Sequence, residues 1–240
     1  DNFASIVAAV EEGRGIFGNI KKYLVYLLSC NLGEILLMAT AILFGPLLGL
    51  PAGVLPLVAI QILYVNLATD GLPAIALSVD PPDTDVMRQK PRPRRQTIFT
   101  PPVLRYLILA GLWTALVTLG VFVWTLNSGC SFEEAQSMCF VTLILVQFFN
   151  AFNCRSLEHS LFKAGPFTNR WLLLAIGWEC VMLSLVIYLP LLQEPFHTYA
   201  LSVQDWSIAI LSALSIFVMA ELYKFVMSLV RSRSVASVAN

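Results

Sequence analysis

Leu55–Val79 reads LPLVAIQILYVNLATDGLPAIALSV, and this run decides the class of fold. It is long and apolar enough to span the hydrocarbon core of a bilayer, which takes roughly 20 helical residues. The run is not uniform. Asn66, Thr69 and Asp70 stand at i, i+3 and i+4, on one helical face, and Gly71 and Pro73 follow at once. Pro73 has no N–H, so the carbonyl of Thr69 loses its helical partner. A broken span with freed carbonyls beside a carboxylate is a recurring way to build a cation site near the membrane midplane.

Outward from this run, five more segments have the same character: Tyr23–Gly45, Tyr106–Leu126, Gln136–Phe152, Trp171–Leu191 and Trp206–Leu229. The fourth span in chain order, Gln136–Phe152, is the shortest. Composition agrees with a membrane protein: 58% of the 240 residues are apolar and 12% charged, with a mean hydropathy of +0.76. Soluble domains carry about twice that charge. A net charge of zero gives no electrostatic case for a nucleic-acid partner. The expected fold is all-α, a six-transmembrane-helix bundle. Residues 1–22 precede it as a partly amphipathic stalk helix, residues 23–229 hold the six spans, and 230–240 form a tail. The proline-rich loop Asp80–Pro102 is expected to be a connector, not a helix. The chain starts at Asp1, with no signal peptide before the first span, and is expected to be a piece of a longer protein.

Charge sets the expected orientation. All 15 Lys and Arg fall before the first span, between spans two and three, between spans four and five, or around the end of the sixth. The opposite loops carry Glu133, Glu134, Glu194 and Asp205. By the positive-inside rule both termini face the cytoplasm. Five scattered cysteines show no metal-type spacing. Cys130 and Cys139 fall near one loop and are either a disulfide or two free thiols.

Ionisable groups within spans are costly, and each asks for a reason. Glu34 lies halfway along the first span with Asn31 on the same face. Together with Asn66, Thr69 and Asp70 these residues supply carboxylate, amide and hydroxyl oxygens, the ligands calcium prefers. They include no thiolate or imidazole, which disfavours zinc and copper. Gln147 and Asn150 share a face of the fourth span and are either further oxygen donors or contacts between helices. Glu221 is expected to pair with Lys224 at i,i+3 near the end of the last span. Glu179 lies mid-span with no local partner in sequence.

Specific stretches also resemble a known family. Ala9-Val10-Glu11-Glu12-Gly13-Arg14 and Asn19-Ile20-Lys21-Lys22 are similar to the stalk of the fifth membrane helix of type II P-type ATPases. Ser29-Cys30-Asn31-Leu32-Gly33-Glu34 resembles that helix's ion-binding stretch. Asn66-Leu67-Ala68-Thr69-Asp70-Gly71-Leu72-Pro73-Ala74 resembles the sixth helix of calcium pumps of the sarco/endoplasmic reticulum kind and their bacterial relatives. Asp80-Pro81-Pro82-Asp83 resembles the loop after it, and Asn150-Ala151-Phe152-Asn153 the end of the eighth helix.

The resemblance implies that the spans are the fifth to tenth of ten. Asp70 would be shared by two calcium positions, with Asn31, Glu34 and Thr69 lining one and Asn66 the other. Gln147 stands where two-calcium pumps carry a glutamate. An amide there offers one oxygen and no charge, so one and two ions per cycle both stay open. The implied cargo is Ca2+. ATP and Mg2+ would act only in the parent protein, because the Asp-Lys-Thr-Gly phosphorylation motif is absent from these residues. Catalytic residues are therefore expected outside this chain, and the segment alone is expected to be inactive. Implied partners are membrane lipid and the remaining helices and ATPase domains of the same polypeptide. The membrane would be the plasma membrane of a bacterium, or the endoplasmic reticulum or Golgi of a eukaryote. Alternative readings are a manganese or monovalent-cation pump, a self-contained gradient-driven carrier, and a structural module without an ion site.

Overall fold

The computed structural model describes residues 3–50, 53–82, 86–87, 97–157 and 159–238, with backbone alone for 164 and 231–238. All regular structure among them is helical. The helices are α1 (Phe3–Phe44), α2 (Ala59–Tyr64), α3 (Gly71–Ser78), α4 (Pro101–Asn127), α5 (Phe132–Cys154), α6 (Leu161–Ala164), α7 (Arg170–Tyr188), α8 (Pro190–Phe196) and α9 (Val203–Val238). A wide turn over Val65–Thr69 joins α2 to α3, and a 3-10 turn extends α1 through Leu48. Six helical stretches are long and apolar enough to cross a membrane, with α2 and α3 counting as one.

The expected stalk and first span are one continuous helix. At 1.5 Å per residue its 42 residues extend about 63 Å, twice the thickness of a bilayer core of ~30 Å. Its described residues through Gly13 are exposed, and burial begins at Gly15. The second span starts at Ala59, not Leu55, because Val54–Val58 runs non-helically into it. The third is longer than expected and starts on Pro101 and Pro102, whose fixed φ suits a first helical turn. The fifth ends at Tyr188, earlier than expected: Pro190 holds Leu189 extended (φ −84°, ψ 115°) and opens α8. The last helix continues through the expected tail to Val238. In the loop expected to be a connector, 83–85 and 88–96 lie outside the described residues. The described remainder up to Thr100 is non-helical.

The helix α5 also runs longer than expected. It spans 23 residues and is the most buried of the six. It takes in Glu133 and Glu134 in its first turn and Asn153 and Cys154 at its end, and its inner polar side chains bond to neighbouring segments. Gln136 donates to the Leu55 carbonyl (2.8 Å) and Asn153 to the Ile216 carbonyl (3.3 Å). Asn150 donates to Ser29 Oγ (2.8 Å) and accepts from Tyr106 OH (3.0 Å). Asn150 is thus a contact between α1, α4 and α5. In a bilayer such bonds hold helices together where apolar burial gives little drive.

The outer surface is the converse. Ile35 and Ile42 on α1, Leu112 and Leu116 on α4, Leu174 and Trp178 on α7, and Leu211 and Val218 on α9 are all exposed. Apolar exposure spread over most of the bundle's outer helices is far beyond what a soluble monomer shows, and fits contact with lipid tails. Glu221 and Lys224 pair as expected, at 3.2 Å. Lys224 does not snorkel outward: it is buried, and Glu221 also accepts from the Leu161 N–H at 3.0 Å. All five cysteines are free.

Candidate cation site

Two helices approach so closely that only glycine fits between them. A Cβ on Gly33 of α1 would stand 2.8 Å from Thr114 Cγ2 of α4, and one on Gly111 of α4 would stand 2.8 Å from Leu32 Cγ. This small-residue packing fixes the rotation of α1. Glu34, next in sequence to Gly33, is thereby turned toward the broken span and α5.

The broken span brings the second set of groups. Asp70 N–H bonds to the Val65 carbonyl at 2.9 Å, an i to i−5 step that widens the helix by one residue. Such π-turns occur at functional positions because they break the regular carbonyl ladder. Pro73 explains why the turn is tolerated. It leaves the Thr69 carbonyl without a helical donor, and α3 restarts at Gly71.

Glu34 is 5% exposed and holds two amides from two other elements. Its Oε2 accepts from Asn66 Nδ2, and its Oε1 accepts from Gln147 Nε2 at 2.8 Å. Asp70 is 1% exposed and within electrostatic range of Glu34. Its Oδ1 accepts from Tyr26 OH at 3.1 Å. Asp70 Oδ2 and Gln147 Oε1 are buried acceptors with no donor. Both carboxylates take hydrogen bonds from uncharged groups, and no described Lys or Arg pairs with either. Two buried carboxylates, with Asp70 Oδ2 and Gln147 Oε1 orphaned and no counter-charge among the described residues, form an environment that a cation completes.

The structure therefore gathers Glu34, Asn66, Asp70 and Gln147. The other two expected ligands turn elsewhere. Asn31 Nδ2 donates to the Leu27 carbonyl on its own helix (2.8 Å), and Thr69 Oγ1 donates to the Val65 carbonyl (2.7 Å). Thr69 is buried on the wide turn, and Asn31 is half-buried. Among the described residues no group of three His, Cys, Asp or Glu converges, so any ion here leans on amide and carbonyl oxygens. Glu179 is buried with Oε2 unpartnered and shares no hydrogen bond with Glu34 or Asp70. Sequence reasoning missed Tyr26. It lies on the buried stripe of α1 that continues through Ser29, Cys30, Gly33 and Glu34, so helical periodicity alone could have found it.

The fold and its apolar outer surface define an integral membrane protein, one whose helix bundle buries the Glu34 and Asp70 carboxylates. The chain belongs to the cation-transporting ATPase family: residues 54–226 match the family model described as "Cation transporting ATPase, C-terminus". It is 43% identical over 222 residues to a calcium-transporting ATPase of Bacillus subtilis, covering 92% of this chain and 24% of that protein. It is 31% identical over 282 residues to the endoplasmic reticulum-type calcium-transporting ATPase 4 of Arabidopsis thaliana, covering 94% of this chain and 26% of that protein. It is 32% identical over 206 residues to a probable cation-transporting ATPase F of Mycobacterium bovis, covering 86% and 22%. The chain thus spans about a quarter of the length of these relatives.

Proposed function

We propose that this chain is the ion-binding membrane region of an ATP-driven pump that moves calcium away from the cytoplasm. The observation that carries the reading is Glu34, whose two oxygens are held by Asn66 and Gln147 beside Asp70 on the wide turn. The amide N–H groups of Asn66 and Gln147 offset part of the Glu34 charge by hydrogen bonding. On calcium binding the same amides would rotate to present their oxygens, with Asp70 Oδ2 and the freed Thr69 carbonyl as further ligands. Asn31 and Thr69 would join by rotating away from their own helix carbonyls.

The stalk at the start of α1 would carry the drive. ATP-dependent phosphorylation elsewhere in the parent, with Mg2+, would move the stalk, and the unbroken helix would pass that movement to Glu34. Carboxylates emptied of calcium on the far side would take up protons, giving proton countertransport. Both termini would face the cytoplasm, as the distribution of Lys and Arg supports.

The test is ATP-driven calcium uptake into sealed vesicles carrying the full-length pump, beside its Asp70→Asn variant. Uptake lost in the variant supports calcium as cargo and Asp70 as ligand. A full-length pump without uptake, or a variant with full uptake, sinks the reading. Gln147 favours a second reading, because a site with two carboxylates also suits manganese or a monovalent cation. Phosphorylation stimulated by those ions and not by calcium would favour it.

A further inference from the structure

Asp80 closes the segment after α3 and is 3% exposed, although the sequence places it at the start of a charged loop. Four side chains converge on it. Lys22 Nζ of α1 reaches Oδ2 at 2.8 Å. Arg155, directly after α5, reaches Oδ1 through Nε at 2.9 Å. Asn169 Nδ2, at the cap of α7, reaches Oδ1 at 2.7 Å. Asn19 Nδ2 of α1 reaches the Asp80 carbonyl at 2.7 Å. Lys22, Arg155, Asn169 and Asn19 are themselves buried.

The cluster joins the same three elements that bring residues to the cation site. Lys22 lies twelve residues before Glu34 on one unbroken helix, about 18 Å along its axis. Asp80 lies ten residues after Asp70, about 15 Å at helical rise, and Arg155 lies eight after Gln147, about 12 Å. One carboxylate therefore ties together the helices that carry Glu34, Asp70 and Gln147, midway along α1 and just past the ends of α3 and α5.

The two sides of the cluster differ in stiffness. The Arg155 fork is also held by the Gly165 carbonyl (2.6 Å), the Pro166 carbonyl (3.1 Å) and Thr168 Oγ1 (2.6 Å). Asn169 accepts from the Leu172 N–H at 3.0 Å while it holds Asp80. A planar guanidinium locked at several points is a rigid anchor, whereas a lysine ammonium is a rotatable point charge on a flexible stem.

We infer that Asp80 is a positioning residue for the cation site, setting the spacing of the three ligand-bearing helices at a level about 12–18 Å from the site at helical rise. Arg155 and Asn169 form its fixed side, and Lys22 is the charged contact to α1, beside the Asn19 bond to the Asp80 carbonyl, through which α1 is held and can shift. The inference rests on the cation-pump reading above. Asp80 touches no ion; it acts through Glu34, Asp70 and Gln147.

The experiment uses the full-length pump and two readouts. One is the calcium concentration giving half-maximal phosphorylation from ATP. The other is phosphorylation by inorganic phosphate without calcium, the reverse reaction, which needs the catalytic domains and no bound cation. Asp80→Asn is expected to raise the half-maximal calcium at least tenfold, with both phosphorylation levels within twofold of the parent. Asp80→Glu is expected to restore part of the shift. Lys22→Met, which leaves Asp80 paired with Arg155, is expected to give a shift of about fivefold. Unchanged half-maximal calcium in Asp80→Asn overturns the inference. So does parallel loss of both readouts, or failure of both the Asp80→Asn and Lys22→Met variants to fold, since each assigns the cluster a purely structural role. A parent pump whose phosphorylation ignores calcium defeats the calcium reading instead, and the same variants are then read with the cation that does activate it.

Discussion

Gln147 and Glu34 are 113 positions apart in the chain and meet through one 2.8 Å hydrogen bond, amide nitrogen to carboxylate oxygen. The amide is donor and ligand candidate at once. Its Nε2 satisfies Glu34, and its Oε1 is left buried and unpartnered. A carboxylate at the same place would offer two oxygens and a charge, but no proton to give Glu34. Gln147→Glu should therefore tighten cation binding by about tenfold, equivalent to ~1.4 kcal/mol, and make it steeper in pH. Equilibrium binding of radioactive calcium to the full-length pump at two pH values reads this out. Weaker binding at both would show that the donated hydrogen bond outweighs the added charge.

Tyr26 gives the complementary case. Its hydroxyl is buried and donates to Asp70 Oδ1 at 3.1 Å. Hydrogen bonds to charged groups contribute about 1.5–3 kcal/mol. Tyr26→Phe should lower thermal stability by that order in calcium-free protein, and by less when a cation shares the Asp70 charge. Unfolding curves with and without calcium compare the two, and equal shifts in both conditions would contradict the role given to Asp70.

The α1–α4 contact sets a steric limit. Gly33→Val would drive a branched side chain into Thr114, and overpacking of this kind costs about 1–3 kcal/mol. A lower melting temperature is expected, together with weaker cation binding, because Glu34 shares the displaced turn. Gly18→Val, where nothing lies within 4 Å of the added Cβ, is the control and should leave both unchanged.

Cys130 reports on orientation. It lies between α4 and α5 and is half-exposed, whereas Cys30, Cys139 and Cys154 are buried. With Cys180 replaced by serine, a membrane-impermeant maleimide should label Cys130 only from the side opposite the basic loops. Burial first, then the Glu134 carboxylate, pushes its thiol pKa up. Less thiolate is present at a given pH than for a free cysteine, so labelling should be slow near neutrality and speed up as pH rises. Labelling from the side of the basic loops would reverse the proposed topology.

Six spans, the broken second one and its carboxylate were legible in the sequence, because each is a local property. Length and hydropathy mark a span, Pro73 removes its own N–H, and Glu34 and Asp70 stand out against apolar neighbours. Pro190 also marked the end of α7, although the hydropathy of Leu189 and Leu191 hid it. Glu133 and Glu134 hid the start of α5, although they belong to its first turn. Composition alone does not distinguish a polar residue facing water from one facing another helix.

Sequence by itself determined the class of fold, the basic and acidic sides, and which carboxylates lie within the membrane-length helices, since these follow from transfer energies residue by residue. Tertiary structure alone decided which groups meet. It chose Gln147 and Asn66 as the partners of Glu34, turned Asn31 and Thr69 onto their own helices, and sank Asp80 among Lys22, Arg155 and Asn169. Those choices depend on helix rotation and spacing, which are set by close packing at Gly33 and Gly111 between segments some 80 residues apart.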